Sequence, residues 1–224
     1  MCYMRKIDKL RELMVLDATL YPDEIVSRFR QITELLFESF AIQKADKIYL
    51  FKAIEFYFYN KNHRDIITHP RISKELCWYV NDFGGIDLNF ASCIEYDNRL
   101  DTKGKNVIKY VLDEKAYFGG ILIRQLVEKE SGAVLKGPLA CAELFRTYDA
   151  TGIGMNKILP ILVECDNGKV RIDSPKPRIN ILRPNQQAEK KVDNILYVYH
   201  GPLDKEALYG EFKEFKEKPY RYER

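Results

Sequence analysis

The chain has 224 residues, enough for one large domain or two small ones, and its 46% hydrophobic and 31% charged content is that of an ordinary soluble protein with apolar mass for a sizeable core. A net charge of +3 excludes a polycation, so nucleic-acid binding would need a local cluster of Lys and Arg. The five cysteines, Cys2, Cys77, Cys93, Cys141 and Cys165, are odd in number and widely spaced with no CxxC pair, which argues against a zinc site or disulfide framework and fits a reducing compartment.

Met1 to Thr19 reads as an amphipathic helix with Ile7, Leu10, Leu13 and Met14 on one stripe. The N-terminal stretch mixes charged and apolar residues, unlike a signal peptide, and no segment reaches the roughly 20 apolar residues of a membrane span. A cytoplasmic protein is the expectation. Pro22-Asp23-Glu24 is a helix start, because Pro is tolerated in the first turn and acids suit the N-terminal dipole. Ile25, Phe29, Ile32, Leu36 and Phe40 then follow at helical spacing and predict core packing.

From Ile48 the period changes to two. The predicted strands are Ile48 to Tyr59, Leu76 to Val80, Ile86 to Phe90, Asn106 to Leu112 and Gly120 to Val127. The first contains Ile54-Glu55-Phe56-Tyr57-Phe58-Tyr59, so Ile54, Phe56 and Phe58 take one face and Glu55, Tyr57 and Tyr59 the other. A carboxylate among large apolar neighbours is costly to bury unless it is paired or used. Either this is an edge strand with Glu55 in water, or Glu55 is a general base on the floor of a pocket lined by Tyr57 and His69. In the third strand Asp87 and Asn89 share the face opposite the apolar residues. In the fifth, Arg124 is the lone charge of an apolar run, either in a structural ion pair with Glu55 or Asp87 or as a phosphate or water anchor. Gly-Gly pairs at 84–85 and 119–120 permit close backbone approach or a bulge.

Gly137-Pro138 opens a predicted short helix from Leu139 to Tyr148. Ile158 to Glu164 and Lys169 to Ile172 predict a hairpin about Asp166-Asn167-Gly168, which carries the Asn-Gly turn signal. Pro175 to Pro184 is a proline-punctuated loop with Lys176, Arg178 and Arg183. Lys176, Arg178, Lys190 and Lys191 read either as a solvated rim or as a phosphate track. A last helix spans Lys205 to Lys216. The whole predicts a single α+β domain: a curved, mostly antiparallel sheet flanked by helices over 45–224, with a helical extension over 1–44 packed on it.

Three motif matches fail. His63-Arg64-Asp65 resembles the kinase catalytic loop, but Pro70 stands where its asparagine belongs. Gly152-Ile153-Gly154 lacks the third glycine of a dinucleotide fingerprint, since position 157 is Lys. His63, His69 and His200 form no HExxH pair, so neither a catalytic metal nor another cofactor is expected.

The remaining features follow one order. Ile54-Glu55-Phe56-Tyr57 is followed by His69, then Trp78-Tyr79-Val80-Asn81-Asp82-Phe83-Gly84 through Asn89. Ile121-Leu122-Ile123-Arg124-Gln125-Leu126, Gly137-Pro138-Leu139 and Lys218-Pro219-Tyr220-Arg221-Tyr222 complete it. Over residues 35 to 224 this order resembles the alkyladenine (3-methyladenine) DNA glycosylase family, as a divergent member. It departs from that family in carrying Ala53 for the first acid of the catalytic strand, Phe83 at the wedge position, a poorly matched stacking tyrosine (Tyr79 or Asn81), and the extra charge of Asp87.

The resemblance implies a fold like the C-terminal domain of formyltransferases and no cofactor. It implies damaged duplex DNA as partner, with Glu55 activating water and Arg124 beside it. Tyr57, His69, Tyr79, Asn81, Phe83, Asp87 and Asn89 would then hold a flipped purine. A base must leave the stack before its glycosidic bond can be cut, and it needs aromatic faces to receive it. Two alternatives stay open: a non-catalytic nucleotide or nucleic-acid binding module of the same fold, and a hydrolase of a free nucleoside or other small N-glycoside.

Overall fold

A computed structural model describes residues 5–81, 84–100, 103–145, 159–181, 187–200 and 204–224, apart from the side chains of 191, 194–197 and 200. The fold is α+β. Two N-terminal helices, α1 (Lys6–Leu13) and α2 (Pro22–Ser39), lead into β1 (Phe40–Lys44) and the long strand β2 (Lys47–Asn60). The short strands β3 (His63–Arg64), β4 (Trp78–Val80), β5 (Ile86–Asn89), β6 (Glu95–Leu100) and β7 (Asn106–Val111) follow. Then come the long β8 (Phe118–Glu128), β9 (Val134–Lys136), α3 (Pro138–Ala142) and β10 (Ile161–Glu164). The chain closes with α4 (Ala188–Tyr197), β11 (Tyr199–His200), α5 (Lys205–Glu217) and β12 (Arg221–Glu223).

One curled antiparallel sheet runs in the order β10-β1-β2-β8-β5-β4. Along one edge of β2 lie β1, β12 and β3 in succession, and β8 runs along the other. β2 is therefore a central strand, not an edge. A smaller sheet, β11-β7-β6, pairs β7 antiparallel with β6 and parallel with β11.

The predicted apolar stripes fold as read. Leu10, Leu13, Ile25, Phe29, Ile32 and Leu36 are buried and join Ile54, Phe56, Phe58, Ile121 and Ile123 in one core. Phe29 stacks on Phe56 with ring centroids 4.3 Å apart. The N-terminal helices thus back the Ile54 face of the sheet and leave the Glu55 face to other elements. Farther along the Glu55 face a second cluster forms from Tyr59, Phe118, Tyr199, Leu208 and Phe212.

Four local expectations are corrected. The first helix ends at Leu13 rather than Thr19, because the Asp17 carboxylate accepts from the Thr19 backbone N–H at 2.7 Å and turns the chain. Phe40 leaves the helical stripe and begins β1, so the segment before residue 45 supplies a strand as well as helices. The hairpin about Asn167 does not form. Ile161–Glu164 pairs with Phe40–Gln43 instead, and the Asn167 amide donates to the Phe37 and Phe40 carbonyls at 3.1 Å each, satisfying acceptors at the end of α2. β6 and α4 were not anticipated. Asp97, Asn98 and Arg99 make an edge strand that reads as a loop.

Candidate functional site

Register on the sheet brings the site together. Glu55 pairs across to Leu122 and Leu122 to Asp87, and Asp87 pairs with Tyr79. The next row is Tyr57, Gly120 and Asn89. Directly opposed residues share a face, so β2, β5 and β4 present Glu55, Tyr57, Asp87, Asn89 and Tyr79 on one side, with Leu122 and Gly120 of β8 between them. The β2–β8 ladder shifts register between Phe51 and Ala53 and again between Ala53 and Ile54. The second shift leaves Arg124 as the extra residue of β8. Bulges of this kind redirect side chains, and these two explain how Phe51 and Leu126 reach the core while Glu55 and Arg124 face away from it.

Three guanidinium–carboxylate pairs occupy this face. Arg124 Nε lies 2.9 Å from Glu55 Oε2, and both side chains are nearly sealed from solvent. The Arg124 Nε hydrogen has no aligned acceptor, so this contact is ionic rather than a directed hydrogen bond. Glu55 also accepts from the Tyr57 hydroxyl and from the Ile179 backbone N–H, each at 2.9 Å. Arg124 in turn donates through Nη2 to the Ile179 carbonyl. The ion pair thus grips both polar groups of one backbone residue.

Arg71 forms the second pair, with Asp87, and also donates to the Asn89 side-chain oxygen at 3.0 Å and the His69 carbonyl at 3.1 Å. Its guanidinium lies 4.5 Å from the Tyr79 ring centroid. Gly120 makes the room: a Cβ there would sit 2.9 Å from Asn89 Oδ1 and 3.0 Å from Arg71 Nη1. The third pair is a bidentate fork from Arg178 to Asp65 at 2.6 and 3.1 Å, with both side chains fully buried. Burial works against the Arg178 charge, yet Asp65 outweighs it and the pKa is raised. Arg178 also lies 4.6 Å from the Tyr57 ring centroid. Burial, and then the Glu55 charge, push the Tyr57 phenol well above its ordinary value, so it stays a hydrogen-bond donor.

A cavity of about 400 Å³ opens over this surface, with walls that include Tyr57, His69, Arg71, Asn81, Asp87 and Arg124. Leu122, Pro138 and Ile179 are among its apolar lining. Such a volume suits a small organic ligand. Pro138 and Leu139 at the start of α3 and the segment through Asn180, whose φ is +59°, complete the wall, and Asn tolerates that left-handed backbone.

Most residues singled out in the sequence converge here. Tyr57, His69, Asn81, Asp87 and Arg124 line the cavity. Tyr79 and Asn89 stand behind it and hold Arg71. Asn81 donates to Asp87 at 3.2 Å and accepts from the Gly85 N–H at 2.9 Å. Glu55 is 0% exposed and lies beneath the lining rather than in it. Phe83 lies outside the described residues, as do Asp82, Gly152-Ile153-Gly154 and Arg183.

Arg178, read as a rim or phosphate-track cation, is instead buried against Asp65. Lys176 is half exposed and pairs with Glu223, and Lys190 is exposed. The sequence reading missed Arg71, Asp65 and Arg178 as partners. Asp65 sat inside the rejected kinase-like tripeptide. Arg71 directly follows His69-Pro70, and a cation beside a proposed pocket histidine was a usable signal.

Among the described residues no helix is long and apolar enough to cross a membrane, and no group of three or more His, Cys, Asp or Glu is placed to hold a metal. No family model, curated protein or solved structure matches the chain.

Proposed function

We propose that the cavity receives a purine base and that the chain is a glycosylase-like hydrolase of the N-glycosidic bond of a damaged purine extruded from DNA. The observation that carries the base-binding part is charge balance. Each guanidinium at the site, Arg71, Arg124 and Arg178, is already matched by a buried carboxylate, Asp87, Glu55 and Asp65. With Arg71 and Arg124 in the lining balanced by Asp87 beside them and Glu55 beneath, the cavity has no surplus charge for a free phosphate. It suits a flat, uncharged, hydrogen-bonding heterocycle against the Tyr57 ring.

In this reading Glu55 acts through the group that separates it from the cavity. A water that donates its proton to the Tyr57 oxygen releases the Tyr57 proton to Glu55, and the hydroxide formed attacks the sugar carbon as the base leaves with the bonding pair. Proton transfer of this kind is worth about 10² to 10⁴ in rate. The motif order from Glu55 through His69, Arg124 and Gly137-Pro138 supports the glycosylase class.

One observation favours the second reading, a base-binding module without chemistry. The Glu55 oxygens are engaged by Tyr57, Ile179 and Arg124, and Glu55 does not line the cavity. Single-turnover base release from duplexes carrying hypoxanthine, ethenoadenine or 7-methylguanine separates the two. Release by wild type that falls about 10²-fold or more in both Glu55→Gln and Tyr57→Phe supports the hydrolase. Binding with no release in any protein supports the module. Binding that weakens steeply with salt would identify DNA, rather than a free nucleoside, as the partner.

A further inference from the structure

Resting on the base-binding reading, we infer that Asp87 is the specificity-determining residue of the cavity, selecting a base edge with two neighbouring donors: the ring N–H and exocyclic amino group of a guanine-type purine. Asp87 is the acid among the described lining residues, while Arg71, Arg124 and Asn81 supply donors. Paired with Arg71, it is an anion, and an ionised carboxylate only accepts hydrogen bonds.

Its orientation is fixed from both sides. Arg71 Nη1 donates to Oδ2, and the Asn81 amide donates to Oδ1. Asn81 is itself held by the Gly85 N–H at 2.9 Å, and Arg71 by Asn89, the His69 carbonyl and the Tyr79 ring. A carboxylate offers about four acceptor positions, and these two contacts take one each among the described residues. What remains accepts from a ligand.

The span fits as well. β8 lies between β2 and β5, so at a strand spacing of about 4.8 Å the Tyr57 strand and the Asp87 strand are about 10 Å apart. A purine lying over Leu122 reaches from the Tyr57–Arg124 side to Asp87. Hypoxanthine keeps the ring N–H but turns a bare C–H toward the carboxylate where guanine has its amino group. It leaves one Asp87 oxygen desolvated without a new partner, the situation in which polar sites discriminate most strongly.

Guanosine and inosine differ only in the amino group and make the decisive pair. Their dissociation constants are measured by calorimetry on wild type and on Asp87→Asn, with thermal melting to verify folding. The expected result is guanosine tighter than inosine by about 10- to 100-fold in wild type, collapsing to within about threefold in Asp87→Asn. Equal binding of the two by wild type overturns the role of Asp87 and leaves base binding standing. A preference kept in a folded Asp87→Asn protein overturns it too. Failure of both nucleosides to bind at millimolar concentration sinks the base-binding reading and this inference with it. Should Asp87→Asn not fold, the wild-type ratio alone decides.

Discussion

Ile54, Phe56 and Phe58 on one side of β2, and Glu55 and Tyr57 on the other, are neighbours in sequence and opposites in physics. On the first side Phe29, Phe56, Phe90 and Tyr222 meet ring to ring, at centroid distances from 4.3 to 6.3 Å. Those contacts are non-directional and tolerate any filling of the right volume. On the second side the same depth of burial is achieved with three ion pairs whose members each need a named partner. Hydrophobic side chains of similar volume would stabilise this face as well or better. A face built of matched charges, where oil would serve stability, is organised for something other than stability, and it is the face that carries the cavity.

The largest test of this contrast removes one member of the deepest pair. Arg178→Met leaves Asp65 buried and unmatched and should cost about 3–5 kcal/mol, read by urea denaturation. Phe56→Ala should cost a similar amount, about 3–5 kcal/mol, through its cavity. The faces then part company. Adding Asp65→Leu to Arg178→Met should restore most of the loss, whereas adding Phe29→Ala to Phe56→Ala should deepen it. A double variant as unstable as Arg178→Met alone would mean that the fork supplies net stability.

Gly120→Ala is a smaller intrusion, confined to the charged face. Its Cβ would press on Asn89 Oδ1 and Arg71 Nη1, and overpacking of that kind costs about 1–3 kcal/mol. Ligand binding should fall together with stability. Unchanged binding would show that the Arg71 seat is not required.

Acidity gives a finer probe. His63 is buried with Nδ1 2.8 Å from the Phe58 carbonyl, so Nδ1 carries the proton and Nε2 accepts from the Tyr220 hydroxyl at 2.8 Å. Burial lowers its pKa below the ordinary 6.5. The unfolded chain therefore takes up this proton first as the pH falls. The His63 contribution is whole above about pH 6.5 and is lost as the pH drops through the lower folded value. Denaturation midpoints should decline from pH 7 to 5, and His63→Gln, less stable throughout, should decline less. Parallel declines would remove His63 from the acid response.

The smallest effect concerns reactivity. Burial raises the Cys141 thiol to about 12, while Cys77 and Cys93 are exposed. Iodoacetamide should modify Cys77 and Cys93 in the folded protein and Cys141 only on unfolding, as peptide mass mapping would show. Early labelling of Cys141 would mean that the α3 region opens readily.

Much of the cavity face could be anticipated because strand alternation fixes side-chain direction. Glu55 with Tyr57, and Asp87 with Asn89, were placed on shared faces by counting alone. Arg124 was legible as a lone charge in an apolar run, although the bulge that seats it depends on a pairing no local pattern reveals. Asp65, Arg71 and Arg178 were not legible as partners. Asp65 and Arg178 are 113 residues apart, and loop cations look alike until the fold buries one of them. Asn167 failed for a related reason: an Asn-Gly turn signal is local, and the carbonyls at the end of α2 competed for the same side chain.

Leu122 stands between Glu55 and Asp87 on the sheet, lines the cavity, and alone on that row has no polar side-chain atom. Every charged neighbour is wired to at least one other, so changing any of them alters wall, charge and stability together. Leu122 can be exchanged for a smaller or larger apolar residue at the ordinary packing cost of a buried side chain, which reshapes the wall but leaves every charge matched. It is therefore the position at which the cavity is free to drift in size, whether by natural divergence among related chains or by deliberate redesign for a bulkier ligand.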